Sequence, residues 1–314
     1  MKNKKQIGKG FAKWINYSWN DKLFYIVVYA VVFLIALVCL YPLYFTVIAS
    51  VSDPHDVYTG KVSFLPSNFS LESYKLVFQN KSIWRGYANT IFYTVAGTCF
   101  NLFLTIPTAY ALSKKRMLGR SFLMMLFVFT MYFGGGMIPT YIQLKQLGLV
   151  NTPWIMIING GLSVYNVVVT RTYLQTNIPE SLYEAARIDG ASEFTIFFRF
   201  VLQLSAPIIA VITLYYAVGH WSSYFSAMIY LADTDLHPLQ VVLRRILILN
   251  EKAYEVAMES GGSAEELMAA ARQAEIATTM KYSLVFIASL PMLIMYPFVQ
   301  KYFIKGIMVG SLKG

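Results

Sequence analysis

The chain has 314 residues, of which 57% are hydrophobic and only 13% charged, and its 26 Lys and Arg against 16 Asp and Glu give a formal net charge of +10. Soluble domains carry about 25% charged residues, so this composition excludes an ordinary water-soluble globular domain and predicts an all-α polytopic membrane protein. Cys39 and Cys99 both stand inside apolar runs, which excludes a disulfide framework or a CxxC metal or redox motif and leaves both reading as small core residues.

A spanning helix needs about 20 mostly apolar residues. Six stretches supply them: Phe24 to Ser50, Gly86 to Leu112, Phe122 to Ile142, Trp154 to Leu174, Ile208 to Leu231 and Tyr282 to Phe303. The first follows Lys2, Lys4, Lys5, Lys9 and Lys13 as a signal peptide would, but its apolar run is about twice the 7 to 15 residues of a signal core, so it reads as a retained span. Six spans put both termini on one side. Sixteen of the 26 Lys and Arg fall on that side, among them Lys114, Lys115, Arg116 and Arg120 in one short loop, and the positive-inside rule makes it cytoplasmic. The expected organisation is a cytoplasmic tail over 1–23, a transmembrane domain over 24–304 with an inner loop at 178–206 and an outer loop at 233–281, and a cytoplasmic tail over 305–314. A multi-pass protein of the cell membrane follows. The net charge is then a topology signal with some attraction for anionic lipid headgroups, and nucleic acid has no place in it.

In chain order, Phe11, Trp14, Ile15 and Trp19 in the basic tail suit the headgroup boundary. The outer segment Val51 to Ile83, with Asp53-Pro54 and Pro66-Ser67-Asn68, reads as a cap carrying a short helix from Leu71 to Phe78. In the second span Asn89, Tyr93, Gly97, Asn101, Thr105 and Thr108 recur every three or four residues, a polar and small ridge that faces protein or water rather than lipid. The third span weakens at Gly134-Gly135-Gly136 and Pro139. Asn159, Ser163, Asn166 and Thr170 follow helical spacing in the fourth, beside Gly160-Gly161.

The stretch from Ile178 to Ala210, which holds the inner loop, is the one long charged amphipathic segment between two membrane-length apolar runs. Pro179 suits a first helical turn, Ser181 with Glu184 fits a capping box, and Leu182, Ala185 and Ala186 share one face. Gly190 closes that helix, and Ser192 opens a second amphipathic one through Phe194, Phe197, Phe198 and Val201 up to Pro207. Glu184, Arg187, Asp189 and Glu193 are left for a partner to read. With Glu184-Ala185-Ala186 followed by Gly190, the segment resembles the EAA loop of ABC importer permeases. The resemblance implies a type I ABC importer permease fold, with Glu184, Ala185, Ala186, Arg187, Asp189 and Gly190 in a coupling helix seated on a separate ATPase subunit. The family often has a Leu-Pro pair where this chain reads Leu204, Ser205, Ala206 and only then Pro207.

The fifth span carries Thr213, Tyr216, His220, Trp221 and Tyr224, and the long outer loop reads as helix, break at Gly261-Gly262, then helix from Ser263 with Glu265 and Glu266 in its first turn. Neutral hydroxyls, amides and aromatic faces suit an uncharged, hydroxyl-rich solute such as a sugar. The candidates for the path are Asn89, Tyr93, Asn101, Asn159, Ser163, Asn166, Tyr216, His220, Trp221 and Tyr224, with helix packing as the competing role for each. The tail QKYFIKGIMVGSLKG, FGGGMIPTY at Phe133 to Tyr141 and AVGHW at Ala217 to Trp221 are similar to carbohydrate-uptake permeases of the maltose-importer type, in the branch serving large oligosaccharides. That similarity implies four kinds of partner: a second homologous permease, two cytoplasmic ATPase subunits, an extracytoplasmic solute-binding lipoprotein that meets the outer loop, and an oligosaccharide.

No GxxxxGK[ST], HExxH or GxSxG motif and no intramembrane carboxylate pair occurs. The chain is therefore expected to be no enzyme and to hold no cofactor, with ATP and Mg bound by the partner ATPase. Two alternatives stay open: a permease for a peptide, amino acid or phosphate, and a membrane receptor or enzyme.

Overall fold

The structure, a computed structural model, describes residues 18–246, 248 and 263–311, with only the backbone for 298, 299 and 301–311. The anchoring residues Phe11, Trp14 and Ile15, the break at Gly261-Gly262 and the last three residues of the tail lie outside that range. Among the described residues the protein is helical, with one isolated antiparallel bridge between Ser52 and Phe69 and no sheet.

Helix α1, Trp19–Ser50, starts where the Ser18 hydroxyl accepts from the Asp21 amide. Its apolar stretch is exposed, and its C-terminal end packs against the rest of the chain, where Ile48 and Ala49 are buried. The short helices α2, Pro54–Tyr58, and α3, Glu72–Gln79, form the outer cap, with Asp53 capping the first and Leu71 preceding the second. Helix α4, Lys81–Ser113, is the axis of the bundle. Its ridge is buried at Tyr93, Asn101 and Thr105 against later helices, as the spacing predicts.

The remaining runs are interrupted. The third is two helices, α5 at Arg120–Tyr132 and α6 at Met137–Gln146, bent by 111° across the triple glycine. The fourth is not one helix: α7, Ile155–Ile158, ends at Asn159, and α8, Val164–Asn177, restarts with the Ser163 hydroxyl accepting from the Asn166 amide. Asn159 and Ser163 therefore leave the expected ridge, because each caps a helix end. The inner loop supplies α9, Glu180–Ile188, and α10, Glu193–Leu204, which turns by 78° into α11, Ala206–Trp221. Ser222 and Ser223 interrupt the fifth run before α12, Tyr224–Tyr230. Helix α13, Ala264–Ser311, runs through the predicted boundary at Tyr282 without a break, 48 residues or about 72 Å at the α-helical rise. Its start is a capping box, Ser263 accepting from the Glu266 amide while the Glu266 carboxylate accepts from the Ser263 amide and hydroxyl.

Among the described residues three helices are long and apolar enough to cross a membrane, or five if each bent pair is one span, where the sequence predicts six. Cys39 and Cys99 are exposed on α1 and α4 and are not core residues. In a lipid solvent the outside of a helix is as apolar as its core, so an apolar run does not tell which way a small side chain points. For the same reason helix pairing here rests on close approach and polar contacts. At Gly97 a Cβ would sit 2.8 Å from Nδ1 of His220, so only glycine lets α11 lie this close to α4.

Candidate functional site

Two regions gather the residues singled out by the sequence: an elbow made by α9 and α10, and a polar seam between α4, α7 and α11. The elbow starts one residue later than expected. Pro179 precedes α9 as its cap with no side-chain hydrogen bond, so the capping box at Ser181 does not form; the fixed backbone of Pro179 and the acidic Glu180 already begin the helix. Its buried face is Tyr183 and Ala186 with Leu182 beside them, packed on Ala109 and Leu112 of α4 and Leu174 of α8. Glu184 and Ala185 point outward. Gly190 makes the bend at φ +76°, where a β-branched side chain would be strained. Beyond it the Ser192 hydroxyl accepts from the Thr195 amide. The next stretch winds as a π-helix over Ile196–Val201, which turns Ile196 and Val201 inward and leaves Phe194 and Phe198 exposed, not on the buried face the spacing predicts.

A charge cluster ties the elbow shut. Arg187 donates from Nε and Nη2 to Glu193 Oε1 at 3.2 and 2.8 Å, and Tyr110 of α4 donates to Glu193 Oε2 at 2.9 Å. The Arg187 hydrogen bond holds the Glu193 carboxyl below its ordinary range, and the same bond raises Arg187. Lys114, just past α4, places Nζ 3.3 Å from the centre of the Tyr183 ring and 4.2 Å from that of Tyr110. Burial brings this ammonium down to about 8 and pushes the Tyr183 phenol up to about 12. What remains outside is an apolar and acidic face: Ile188 is 86% exposed and Phe194 79%, beside Glu184 and Asp189.

In the seam, Asn101 donates from Nδ2 to the carbonyls of Gly160 (3.3 Å) and Gly161 (2.7 Å), so its Oδ1 accepts and His220 donates from Nε2 at 2.6 Å. Thr105 and Tyr216 share a hydrogen bond of 2.6 Å, and the Tyr216 hydroxyl accepts from the Ser163 amide at 3.1 Å. Asn101, Asn159, Tyr216 and His220 line one cavity of about 210 Å³, together with Tyr215 and Ser226, which the spacing argument passed over. Ligand pockets usually span about 300–1,000 Å³, so this cavity is small for an oligosaccharide.

The other candidates serve joints within the chain. Asn89 donates to the carbonyls of Asp235 and His237 at 2.8 and 3.1 Å, and Tyr93 to that of Leu236 at 2.9 Å, pinning the turn after α12. Trp221 is buried and donates to Ala288 of α13 at 3.0 Å. Asn166 is buried beneath Ser163, and Tyr224 lies half-exposed with the Arg244 guanidinium 5.5 Å from its ring centre. Among the described residues no group of His, Cys, Asp or Glu is arranged to hold a metal ion.

Comparison with known proteins gives these shapes a family. Residues 82–309 match the family described as binding-protein-dependent transport system inner membrane component. The chain is 38% identical over 295 residues to the polygalacturonan/rhamnogalacturonan transport system permease protein YtcP of Bacillus subtilis, covering 94% of this chain and all of that protein. It is 25% identical over 285 residues to the arabinooligosaccharides transport system permease protein AraQ of Halalkalibacterium halodurans, covering 89% of this chain and 93% of that one. Among solved structures, a chain of a bacterial ABC transporter involved in the import of the acidic polysaccharide alginate superposes with a TM-score of 0.81 at 34% identity, covering 91% of this chain and 99% of its own. A bent, interrupted helical bundle with an outward-facing elbow is thus the fold of an ABC importer permease, and the chain belongs to the family of binding-protein-dependent transport system inner membrane components.

Proposed function

We propose that the chain is one of two permease subunits of an ATP-driven importer for an oligosaccharide delivered by an extracytoplasmic binding protein. The observation that carries this is the elbow. Its inner face is fixed by packing and a charge cluster, while Glu184, Ile188 and Phe194 stand exposed at its tip. Exposed apolar side chains beside carboxylates on a built protrusion suit docking to another protein. The occupant is a cytoplasmic ATPase subunit, one of two, which holds ATP and Mg, and its closure moves α9 and α10 and, through them, α11. Two sets of findings support an oligosaccharide: the transport names of the similar proteins are saccharides, and the seam offers neutral amide, hydroxyl and imidazole groups.

The cavity of this subunit alone is small, which favours a path completed by a second permease. Six spans with both termini cytoplasmic fit the excess of Lys and Arg on that side, each bent or interrupted run counting as one crossing. The domain boundaries follow from the same reading: tails at 1–23 and 305–314 around a membrane domain at 24–304. The test is uptake of labelled oligosaccharides by cells lacking only this chain, with and without a Glu184→Arg copy. Loss of uptake of one class of glycan, restored by the native chain and not by Glu184→Arg, is expected. Unchanged uptake across a broad glycan panel would remove the saccharide reading.

A further inference from the structure

A basic feature lies between the loop after α4, the start of α5, the end of α8 and the first turn of α9. There a pocket of about 610 Å³ is lined by Lys114, Lys115, Arg120, Gln175, Tyr183 and a single acid, Glu180. Three cations against one carboxylate leave it positive. Two of its polar atoms, Lys114 Nζ and the Tyr183 hydroxyl, are buried without a hydrogen-bond partner among the described residues. The nearest carboxylate to Lys114 is that of Glu193, at 3.9 Å, too long for a hydrogen bond and already engaged by Arg187 and Tyr110. An ammonium held by two ring faces and a carboxylate beyond hydrogen-bond reach, and a phenol held protonated, are both donors without a hydrogen-bond acceptor, and such buried groups are costly unless one arrives.

The pocket's place in the fold says which acceptor. Apolar α4 ends at Ser113 and apolar α5 begins at Arg120, so the loop between them sits where the hydrocarbon ends. Leu118 in that loop is 95% exposed beside Lys114, Lys115 and Arg116, an apolar side chain among cations such as dips into a bilayer edge. Basic pockets between helices at this depth suit lipid headgroups. We infer that this pocket seats the phosphate of an anionic phospholipid, taken by Lys114, Lys115, Arg120 and the Tyr183 hydroxyl. The inference needs only that the chain spans a membrane. Tyr183 belongs to the elbow and Lys114 packs on its ring, so a bound phosphate stiffens the packing of α9 on α4.

The experiment uses the full chain purified in detergent with the subunits that accompany it, and dioctanoyl phosphatidylglycerol as probe, counted by native mass spectrometry. Retained lipid is expected to fall about tenfold in the double variant Lys115→Gln, Arg120→Gln, and millimolar inorganic phosphate is expected to leave wild-type retention unchanged. Equal retention by variant and wild type overturns the site; displacement by inorganic phosphate assigns it to a free anion and overturns the lipid. Should the variant fail to fold, acetylation of Lys114 in the wild-type complex decides. Vesicles containing phosphatidylglycerol are expected to slow it about fivefold relative to phosphatidylcholine alone, and equal labelling in both contradicts the proposal. Protection that appears only when an ATPase subunit is bound gives the pocket to that protein instead, and also overturns the inference.

Discussion

The seam and the elbow are built from similar residue types yet solve opposite problems. In the seam four of the side chains singled out bond inward: Asn101 bridges His220 to the carbonyls of Gly160 and Gly161, and Tyr216 joins Thr105 to the start of α8, while Asn159 faces the cavity. In the elbow only one face is spent that way. Tyr183 and Ala186 pack it on α4, Glu193, paired with Arg187, accepts from Tyr110 of α4, and Glu184, Ala185 and Ile188 are left outside with no hydrogen bond or ion pair from the Glu184 side chain among the described residues. Side chains that satisfy one another define structure, while a rigid base with an exposed apolar and acidic tip is what the proposed docking requires. Substitutions in the two regions should therefore separate stability from transport.

The largest effect is expected from Glu184→Arg, which reverses the charge of the tip without touching the core. Uptake should fall by about 100-fold, within the usual coupling range of ~1–3 kcal/mol, while the melting temperature of the purified chain stays unchanged. A comparable fall in melting temperature would erase the distinction between the regions. Gly190→Val comes next, since a β-branched residue at φ +76° costs ~1–3 kcal/mol of backbone strain. Transport should drop by about tenfold, and proteolysis should cut near the bend in the variant first. In the seam, His220→Ala leaves the buried Asn101 carboxamide oxygen unpaired, at ~1–3 kcal/mol. Gly97→Ala drives a methyl into the imidazole for a similar cost from overpacking. Both should lower the melting temperature, a result opposite to that of Glu184→Arg.

Smaller effects concern pH. The folded carboxyl of Glu193 sits below its ordinary value of 4.5, so its contribution is present above that value and is lost as pH falls through the folded one. Hydrogen exchange at the elbow should accelerate in that acid range, and less so in Glu193→Gln. Burial works the other way for Lys114, whose amine should acetylate in detergent with a midpoint near pH 8 rather than 10.5.

The elbow was legible because its signals are local. Gly190, the Ser192 cap and Pro207 each act within one turn of the chain, and the fold follows them. Ser181 misled because a capping box needs a non-helical serine, and Pro179, two residues before it, already holds the cap position. Interruptions inside apolar runs were half legible. The triple glycine announced the bend at α5 and α6, whereas Asn159 and Ser163 looked like a helical ridge because helix caps and ridge residues use the same side chains. Contacts between distant segments left no local trace. Nothing near Lys114 indicates that its ammonium lies on the Tyr183 ring, and nothing near Asn89 tells that it pins a turn beyond α12 rather than facing a solute.

Cross-linking from the elbow tip tests the docking claim most directly. With Ala185→Cys in native membranes and a short thiol-to-amine reagent, mass spectrometry of the product identifies the neighbour. A cytoplasmic ATPase subunit should be the linked protein, and the link should be lost when Glu184→Arg is added. A link to an extracytoplasmic protein, or no link while uptake proceeds normally, would contradict the assignment of the elbow as the point where ATP hydrolysis is coupled to transport.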